Sequence, residues 1–172
     1  MSHKQLETER LILRTLTPDD YLEAFRWCGD SRVNKYMIYP LYKNADDVKS
    51  WIETLDADNP NAYDYGFVIK ETGELIGSGG MYYHPETDVW SVGYNLRYDM
   101  WNKGFTTEAT KAIIDYVCSQ CEVKVIEAEH AVDNPASGRV MEKLGLKFAR
   151  YGEYKKMDGS ETFEAKIYRM EL

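Results

Sequence analysis

The stretch WNKGFTTEA, Trp101 to Ala109, decides the fold of this chain. Its single glycine, Gly104, separates two different periodicities. Before it, polar and apolar residues alternate over Val89 to Leu96, which predicts a strand. After it, apolar residues recur on one face of a helix, at Ala109, Ala112, Ile113, Tyr116 and Val117. A strand that turns through glycine into a helix leaves backbone N–H groups unpaired at the positive end of the helix dipole, so the stretch predicts a site for an anionic group such as phosphate.

Length and composition predict one globular domain spanning residues 1–172, because the 172 residues are 44% hydrophobic and suffice for a substantial core. The first residues lack the apolar run of a signal peptide, and no apolar run has membrane-spanning length. Three cysteines, an odd number, suit a reducing compartment better than a disulfide framework. We therefore expect a cytoplasmic protein without a membrane partner.

The charge balance limits the partners. With 21 basic and 29 acidic residues the net charge is −8, which argues against nucleic acid because a phosphate backbone requires a basic surface. The acidity is compatible with a cationic acceptor such as an amine, and equally with a role in solubility alone.

The remaining pattern predicts an α+β protein in which helices cover a mixed sheet. Strands are predicted at Arg10–Leu16, Tyr65–Lys70, Leu75–Tyr83, Val89–Leu96 and Val123–Val132, followed by a hairpin of Leu146–Lys156 and Thr162–Met170. Helices are predicted after the capping box that begins at Thr17, from Asn44 to about Leu55, after Gly104, and from Pro135 to Leu144. Three tyrosines between the first two helices either line a pocket or pack the helix pair: Tyr36, Tyr39 and Tyr42.

Two segments in this order, WNKGFTTEA and DNPASGRVMEKLGLKF (Asp133–Phe148), resemble the coenzyme A-binding motifs of the GNAT superfamily of N-acetyltransferases. LETERLILRTLTPDD (Leu6–Asp20) and VGYNL (Val92–Leu96) resemble the branch with the bacterial ribosomal-protein N-terminal (alanine/serine) acetyltransferases. The resemblance spans nearly the whole chain. It implies the GNAT-like (acyl-CoA N-acyltransferase) fold, with a mixed, mostly antiparallel sheet of about seven strands, a central splay and about four flanking helices.

The resemblance implies that acetyl-CoA binds as a co-substrate at the turn and in the splay. Main-chain N–H groups would hold the pyrophosphate, with Gly104 permitting close approach and Lys103 adding a charge. Pantetheine would pair with the strand end like an added strand. Asn134 also suits a helix N-cap, a purely structural role. The implied cofactor-binding residues are Tyr94, Leu96, Trp101, Asn102, Lys103, Gly104, Phe105, Thr106, Thr107, Asn134 and Ser137.

The resemblance implies that Ser137 hydrogen-bonds the departing thiolate. Two familiar acid–base groups of the superfamily are replaced here: the tyrosine general acid by Met141 and a frequent glutamate by Ser91. Glu129 and His130 remain as candidates for the base. Because neighbouring strand residues point to opposite faces, at most one of the two is expected to face the site.

The predicted function is transfer of an acetyl group from acetyl-CoA to a primary amine, directly in a ternary complex. The resemblance favours a protein N-terminal α-amine over a small molecule such as a polyamine or aminoglycoside. An α-amine, with a pKa near ~8, is neutral far more often than a lysine near ~10.4, so it would need less base catalysis. The alternative is a non-catalytic acyl-CoA-binding module, which the replacements at Ser91 and Met141 favour. No metal site is predicted, since Cys118 and Cys121 lack a second pair. Relatives often dimerise, so a homodimer is a further expectation.

Overall fold

A single eight-stranded sheet forms the centre of the protein in the computed structural model, which describes residues 3–172. Met1 and Ser2, which begin the domain predicted over residues 1–172, lie outside the described residues. The strands are β1 (Leu6–Glu7), β2 (Leu11–Arg14), β3 (Ala62–Ile69), β4 (Leu75–His84), β5 (Val89–Leu96), β6 (Val125–Ala131), β7 (Lys147–Lys155) and β8 (Thr162–Glu171). Their spatial order is β1-β2-β3-β4-β5-β6-β8-β7.

Five α-helices cover the two faces of this sheet. They are α1 (Tyr21–Cys28), α2 (Ser31–Asn34), α3 (Ala45–Glu53), α4 (Phe105–Gln120) and α5 (Pro135–Lys143). Two 3₁₀ turns, Pro18–Asp20 and Tyr98–Met100, precede α1 and the turn before α4. The predicted mixed, mostly antiparallel sheet with flanking helices is confirmed.

The element counts exceed the predicted seven strands and four helices for a local reason. The extra strand β1 has two residues and the extra helix α2 has four, too few to show a periodicity in the sequence. Some ends also differ from the prediction: the first long strand is only Leu11–Arg14, whereas β3 begins earlier than predicted, at Ala62.

The core divides into two clusters, one on each face of the sheet. The larger cluster joins the sheet to α4 and α5 through residues such as Ile113 and Met141. The smaller cluster joins it to α1 and α3 through Trp27 and Ile52. Among the helices of residues 3–172, none combines the length and apolar character that crossing a bilayer requires.

The predicted central splay lies between β5 and β6, the one parallel pair among the strand pairings of the described chain. These strands pair only at Trp90 with Ile126 and at Ser91 with Glu127. β5 continues to Leu96 while β6 pairs with β8 along its other edge, so a gap opens beyond Ser91. The fold thus leaves one edge of β5 without a neighbouring strand.

A candidate active site at the splay

The free edge of β5 presents backbone hydrogen-bonding groups to the gap. The N–H of Arg97 donates to Ile76 of β4 at 2.7 Å. In an antiparallel pair successive residues point their backbone groups to opposite sides, so those of Tyr94 and Leu96 face away from β4. The structure therefore brings the predicted Tyr94–Leu96 edge to the gap, where an extended ligand arm could add to it.

The turn before α4 has the backbone that its sequence predicts. Gly104 is at φ 81 and caps α4, and Asn102 is also left-handed at φ 62. The N–H groups of the first helical residues, Phe105, Thr106 and Thr107, have no acceptor within the helix because no turn precedes them. The turn can therefore offer several donors to one anionic group.

Trp101 ties this turn to the end of β5. Its indole Nε1–H donates to the Leu96 carbonyl at 2.8 Å. The Leu96 carbonyl thus already has one partner within the chain, so the Leu96 N–H is the freer of the two groups for a ligand arm. The Trp101 ring also packs against Tyr98, with ring centroids 4.8 Å apart.

An ion pair behind the turn joins it to Arg10, the residue before β2. The Arg10 guanidinium donates from Nη1 to the Lys103 carbonyl at 3.0 Å and from Nε to Glu108 at 2.8 Å. It also lies over the Phe105 ring, 4.1 Å from the centroid. Arg10 and Glu108 are separated by almost a hundred residues, so local sequence patterns carried no signal for this contact.

Ser137, the predicted partner of the thiolate, lies in the first turn of α5 and contacts Tyr94. The two hydroxyl oxygens are 3.0 Å apart, and the phenol also donates to the Ser137 carbonyl at 3.1 Å. Burial raises the pKa of Tyr94 to about 12, with the hydrogen bond from Ser137 acting in the opposite direction. The phenol is therefore protonated at neutral pH and can serve as a proton donor.

From the sequence, a role was predicted only for the backbone of Tyr94, and the contribution of the Tyr94 side chain was missed. The predicted position of a tyrosine acid holds Met141, which is 2% exposed and packs in the larger core cluster. A phenol nevertheless reaches the start of α5 from β5. Only the pairing of a strand residue with a distant helix residue reveals it.

Asn134 occupies the N-cap position of α5, but its side chain makes no capping hydrogen bond. The structural role considered for this side chain is therefore wrong. Pro135 at the first helical position has no N–H, so the start of α5 has one unpaired backbone donor fewer. The Asn134 amide remains available to a ligand in the gap.

Glu129 and His130 lie on opposite faces of β6, as strand alternation predicts, yet both line the cavity that passes through the gap, where at most one of them was expected from the sequence. His130 is 5% exposed, donates from Nδ1 to the Ala131 carbonyl at 2.7 Å and packs under Gly138 of α5. Glu129 faces the other side with its neighbour on that face, Glu127. Desolvation and the Glu127 charge raise the pKa of Glu129.

Glu127 is already neutralised. It accepts two hydrogen bonds from Arg150 at 3.0 Å and one from Arg169 at 2.9 Å, and these hydrogen bonds lower its pKa against some desolvation. The Glu129 carboxylate makes no hydrogen bond or ion pair with any side chain of residues 3–172. Of the two carboxylates, Glu129 is the one free to meet an amine.

A cavity of about 1010 Å³ passes through the gap from one face of the sheet to the other. Its lining includes Ser137 and Met141 of α5 on one face and Trp51 of α3 on the other. The three tyrosines of the α2–α3 connection also line it: Tyr36, Tyr39 and Tyr42. Tyr42 packs against the smaller core cluster as well, so lining and packing are combined.

The β7–β8 hairpin closes one side of this cavity. The Tyr154 hydroxyl donates to the Tyr36 carbonyl at 2.7 Å. At the tip, the ammonium of Lys156 is buried and donates to Asn34 and to the Met37 carbonyl at 2.8 Å. These bonds hold the hairpin on the α2–α3 connection and define the outer wall of the cavity.

Within residues 3–172, no three His, Cys, Asp or Glu side chains come together as metal ligands.

The acetyltransferase (GNAT) domain family matches residues 10–147. The uncharacterized N-acetyltransferase p20 of Bacillus licheniformis is 28% identical over 158 residues, which cover 90% of this chain and 89% of that protein. The acetyltransferase (GNAT family) from Bacillus anthracis has a similar structure, with a TM-score of 0.84, 21% identity and 98% of each chain covered. RimL, the ribosomal L7/L12 alpha-N-protein acetyltransferase in complex with coenzyme A, is similar with a TM-score of 0.83, 14% identity and 98% of each chain covered.

Proposed function

Since the chain belongs to the GNAT acetyltransferase family, whose domain matches residues 10–147, we propose that it transfers the acetyl group of acetyl-CoA directly to a primary amine in a ternary complex. The observation that carries this proposal is the gap between β5 and β6, which opens beyond Ser91 beside the Gly104 turn. A ligand with an extended arm and an anionic end matches these two features. Its arm can pair with the free strand edge, and its anionic end can bind at the left-handed turn. Coenzyme A has both parts.

The residues present fit this co-substrate in two places. The turn from Asn102 to Gly104 lets a ligand approach its backbone closely at Gly104, which has no Cβ and a left-handed φ. Along β5, the backbone of Tyr94 and the N–H of Leu96 face the gap. Pantetheine carries amide groups that can pair with such an edge. Asn134, without a capping bond, can add a side-chain contact.

The thioester sulfur leaves as a thiolate and needs a proton. The Ser137 hydroxyl, 3.0 Å from the Tyr94 phenol, provides a donor at the start of α5. When the Ser137 hydroxyl donates its hydrogen bond to the sulfur, the Tyr94 phenol can stop donating to the Ser137 carbonyl and donate to the Ser137 hydroxyl oxygen instead. We assign the thiolate contact to Ser137 and the supply of the proton to Tyr94.

A protein N-terminal α-amine is the acceptor that we favour. RimL, a similar structure, is named for such an acceptor. An α-amine has a pKa near ~8, so a modest base is enough to neutralise it. Glu129, on the acceptor side of the cavity, makes no hydrogen bond or ion pair with a side chain of residues 3–172, so its charge can hold the ammonium form of the amine. A small primary amine is the second candidate, because the aromatic wall of the cavity and its carboxylates also suit a compact cation.

The experiment measures free thiol released from acetyl-CoA against an amine panel: peptides with varied N-terminal residues, polyamines, aminoglycosides and free amino acids. We expect peptides to accelerate release most. Acceleration by polyamines or aminoglycosides alone would contradict the favoured acceptor but would still support acetyl transfer to an amine. Binding of acetyl-CoA without acceleration by any amine would contradict transfer and favour the non-catalytic binding module.

A further inference from the structure

A histidine and a serine form a pair on the acceptor side of the gap. His84 ends β4, and its Nε2 lies 2.8 Å from the Ser91 hydroxyl on β5. Both residues line the cavity. Tyr82 is directly opposite Ser91 in the β4–β5 register, and alternation puts His84 on the same face as Tyr82. The sheet itself therefore holds the two side chains together.

The position of Ser91 places this pair at the start of the gap. Ser91 is the last residue of β5 that pairs with β6. Gly93 is the next residue on the same face, and a Cβ there would meet only Tyr82, at 3.9 Å. The space along β5 beyond Ser91 is thus open, so a group in the gap can reach the Ser91 hydroxyl.

The His84 ring is arranged to accept a proton at one nitrogen. Its Nδ1 lies 3.7 Å from a Glu86 carboxylate oxygen. A proton on Nδ1 facing that carboxylate leaves Nε2 as the acceptor for the Ser91 hydroxyl. The side chain is 44% exposed, so a proton that reaches it can pass on to water.

We propose that His84, acting through Ser91, is the general base for the acceptor amine; this inference rests on the proposed acetyl transfer. The bound ammonium gives one proton to the Ser91 oxygen. At the same time the Ser91 proton moves to Nε2 of His84. The neutral amine nitrogen then forms a C–N bond with the thioester carbonyl carbon, the C–S bond breaks, and the sulfur takes a proton from the Ser137–Tyr94 pair. The second proton lost by the nitrogen and the proton held by His84 pass to water, and Tyr94 takes one proton back from water.

This assignment provides a stronger base than the nearby carboxylates. An imidazole ordinarily titrates near ~6.5 and a glutamate near ~4.3, so imidazole is better matched to an amine at neutral pH. Glu127 is occupied by two arginines, and Asp64 accepts the Tyr82 hydroxyl at 2.6 Å. Glu129 then acts on the amine by its charge, holding the ammonium before it is deprotonated.

The test compares His84→Gln, His84→Ala and Ser91→Ala with the wild-type enzyme, using the amine that the panel identifies. Thr87→Ala is the control for the hairpin: it removes the hydroxyl that donates to the His84 carbonyl at 3.4 Å and keeps both side chains of the His84–Ser91 pair. At pH 7 we expect kcat to fall about tenfold to a hundredfold in each of the three variants, with acetyl-CoA affinity unchanged. Thr87→Ala should keep the wild-type rate.

Two readouts separate a base from a structural contact. The deficit should shrink as pH rises toward the pKa of the amine, because a neutral amine needs no base. Added imidazole should restore part of the His84→Ala rate. Other charged or titratable groups also face this pair and contribute to the dependence of the rate on pH. They are Glu86, Asp64 with Tyr82, Glu127, Glu129, Arg150 and Arg169.

The outcomes are distinct. Suppose that the wild type is active and the His84 and Ser91 variants keep its rate, or lose it equally at every pH without imidazole rescue. Either result overturns the assignment of His84 as the base but is compatible with the proposed acetyl transfer. A wild type that binds acetyl-CoA and transfers to no amine overturns the proposed function and this inference with it.

Discussion

The phenol of Tyr94 on β5 lies 3.0 Å from the hydroxyl of Ser137 on α5, across the gap where the sheet divides. Ser137→Ala should therefore lower kcat about tenfold to a hundredfold while changing acetyl-CoA affinity little, because it removes the donor to the thiolate. Steady-state rates and calorimetric titration of acetyl-CoA measure the two effects. An unchanged kcat would show that Ser137 only packs in the gap.

Tyr94→Phe should lower kcat by a similar factor, because the proton that Ser137 passes on then has no source. The double variant should be no slower than either single variant, since residues that act as one unit are not additive. Tyr83→Phe is the control: its hydroxyl bonds Asp88 in the β4–β5 hairpin instead. Additive losses in the double variant would mean that the two hydroxyls act separately.

Gly104→Val should raise the Kd of coenzyme A at least tenfold, or about 1.4 kcal/mol, because a branched side chain covers the N–H groups and strains a backbone at φ 81. Gly73→Val is the matched control. Gly73 has a similar φ of 76 with nothing near its Cβ position, so it shares the strain without the site. Equal affinities in two folded variants would contradict the phosphate-binding role of the turn.

Gly138→Ala should destabilise the fold by about 1–3 kcal/mol, because its Cβ would lie 2.6 Å from Nε2 of the buried His130. Urea unfolding measures the loss. Gly93→Ala, whose Cβ meets nothing closer than 3.9 Å, should lose much less stability. If the two variants unfold alike, His130 moves aside freely and does not fix the position of α5.

Glu108→Gln should lower the melting temperature at pH 7 and have a smaller effect in acid. Desolvation raises the pKa of Glu108, but hydrogen bonds from Thr8 and Arg10 outweigh it and hold the pKa below its ordinary value. A lowered pKa stabilises the fold above the unfolded pKa of about 4.3, and that stability is lost as pH falls through the folded pKa. Thermal unfolding from pH 7 to pH 3 gives the profile. Glu9→Gln, at an exposed neighbouring position, is the control and should leave the melting temperature at pH 7 unchanged.

The turn before α4 was predictable because its signals are local. Gly104 stands between a strand pattern and a helix pattern, and both the left-handed backbone and the helix start follow from that order. The Asn44 cap of α3 is confirmed in the same way, with its side chain accepting the Asp47 N–H at 3.0 Å. By contrast, Asn134 has the sequence of a cap and lacks the bond, because the local pattern does not fix where a side chain turns.

The sequence by itself determined the order of strands and helices, the family resemblance and the glycine turn, since each depends on residues that are close together in the chain. Only the tertiary structure decided which distant side chains meet: Tyr94 with Ser137, Arg10 with Glu108, and Lys156 with Asn34. It also placed Ser91 at the start of the gap, with His84 of the neighbouring strand beside it. The physical reason is that periodicity and capping act over one or two turns, whereas strand pairing and the packing of α5 on the sheet set contacts that no local pattern encodes.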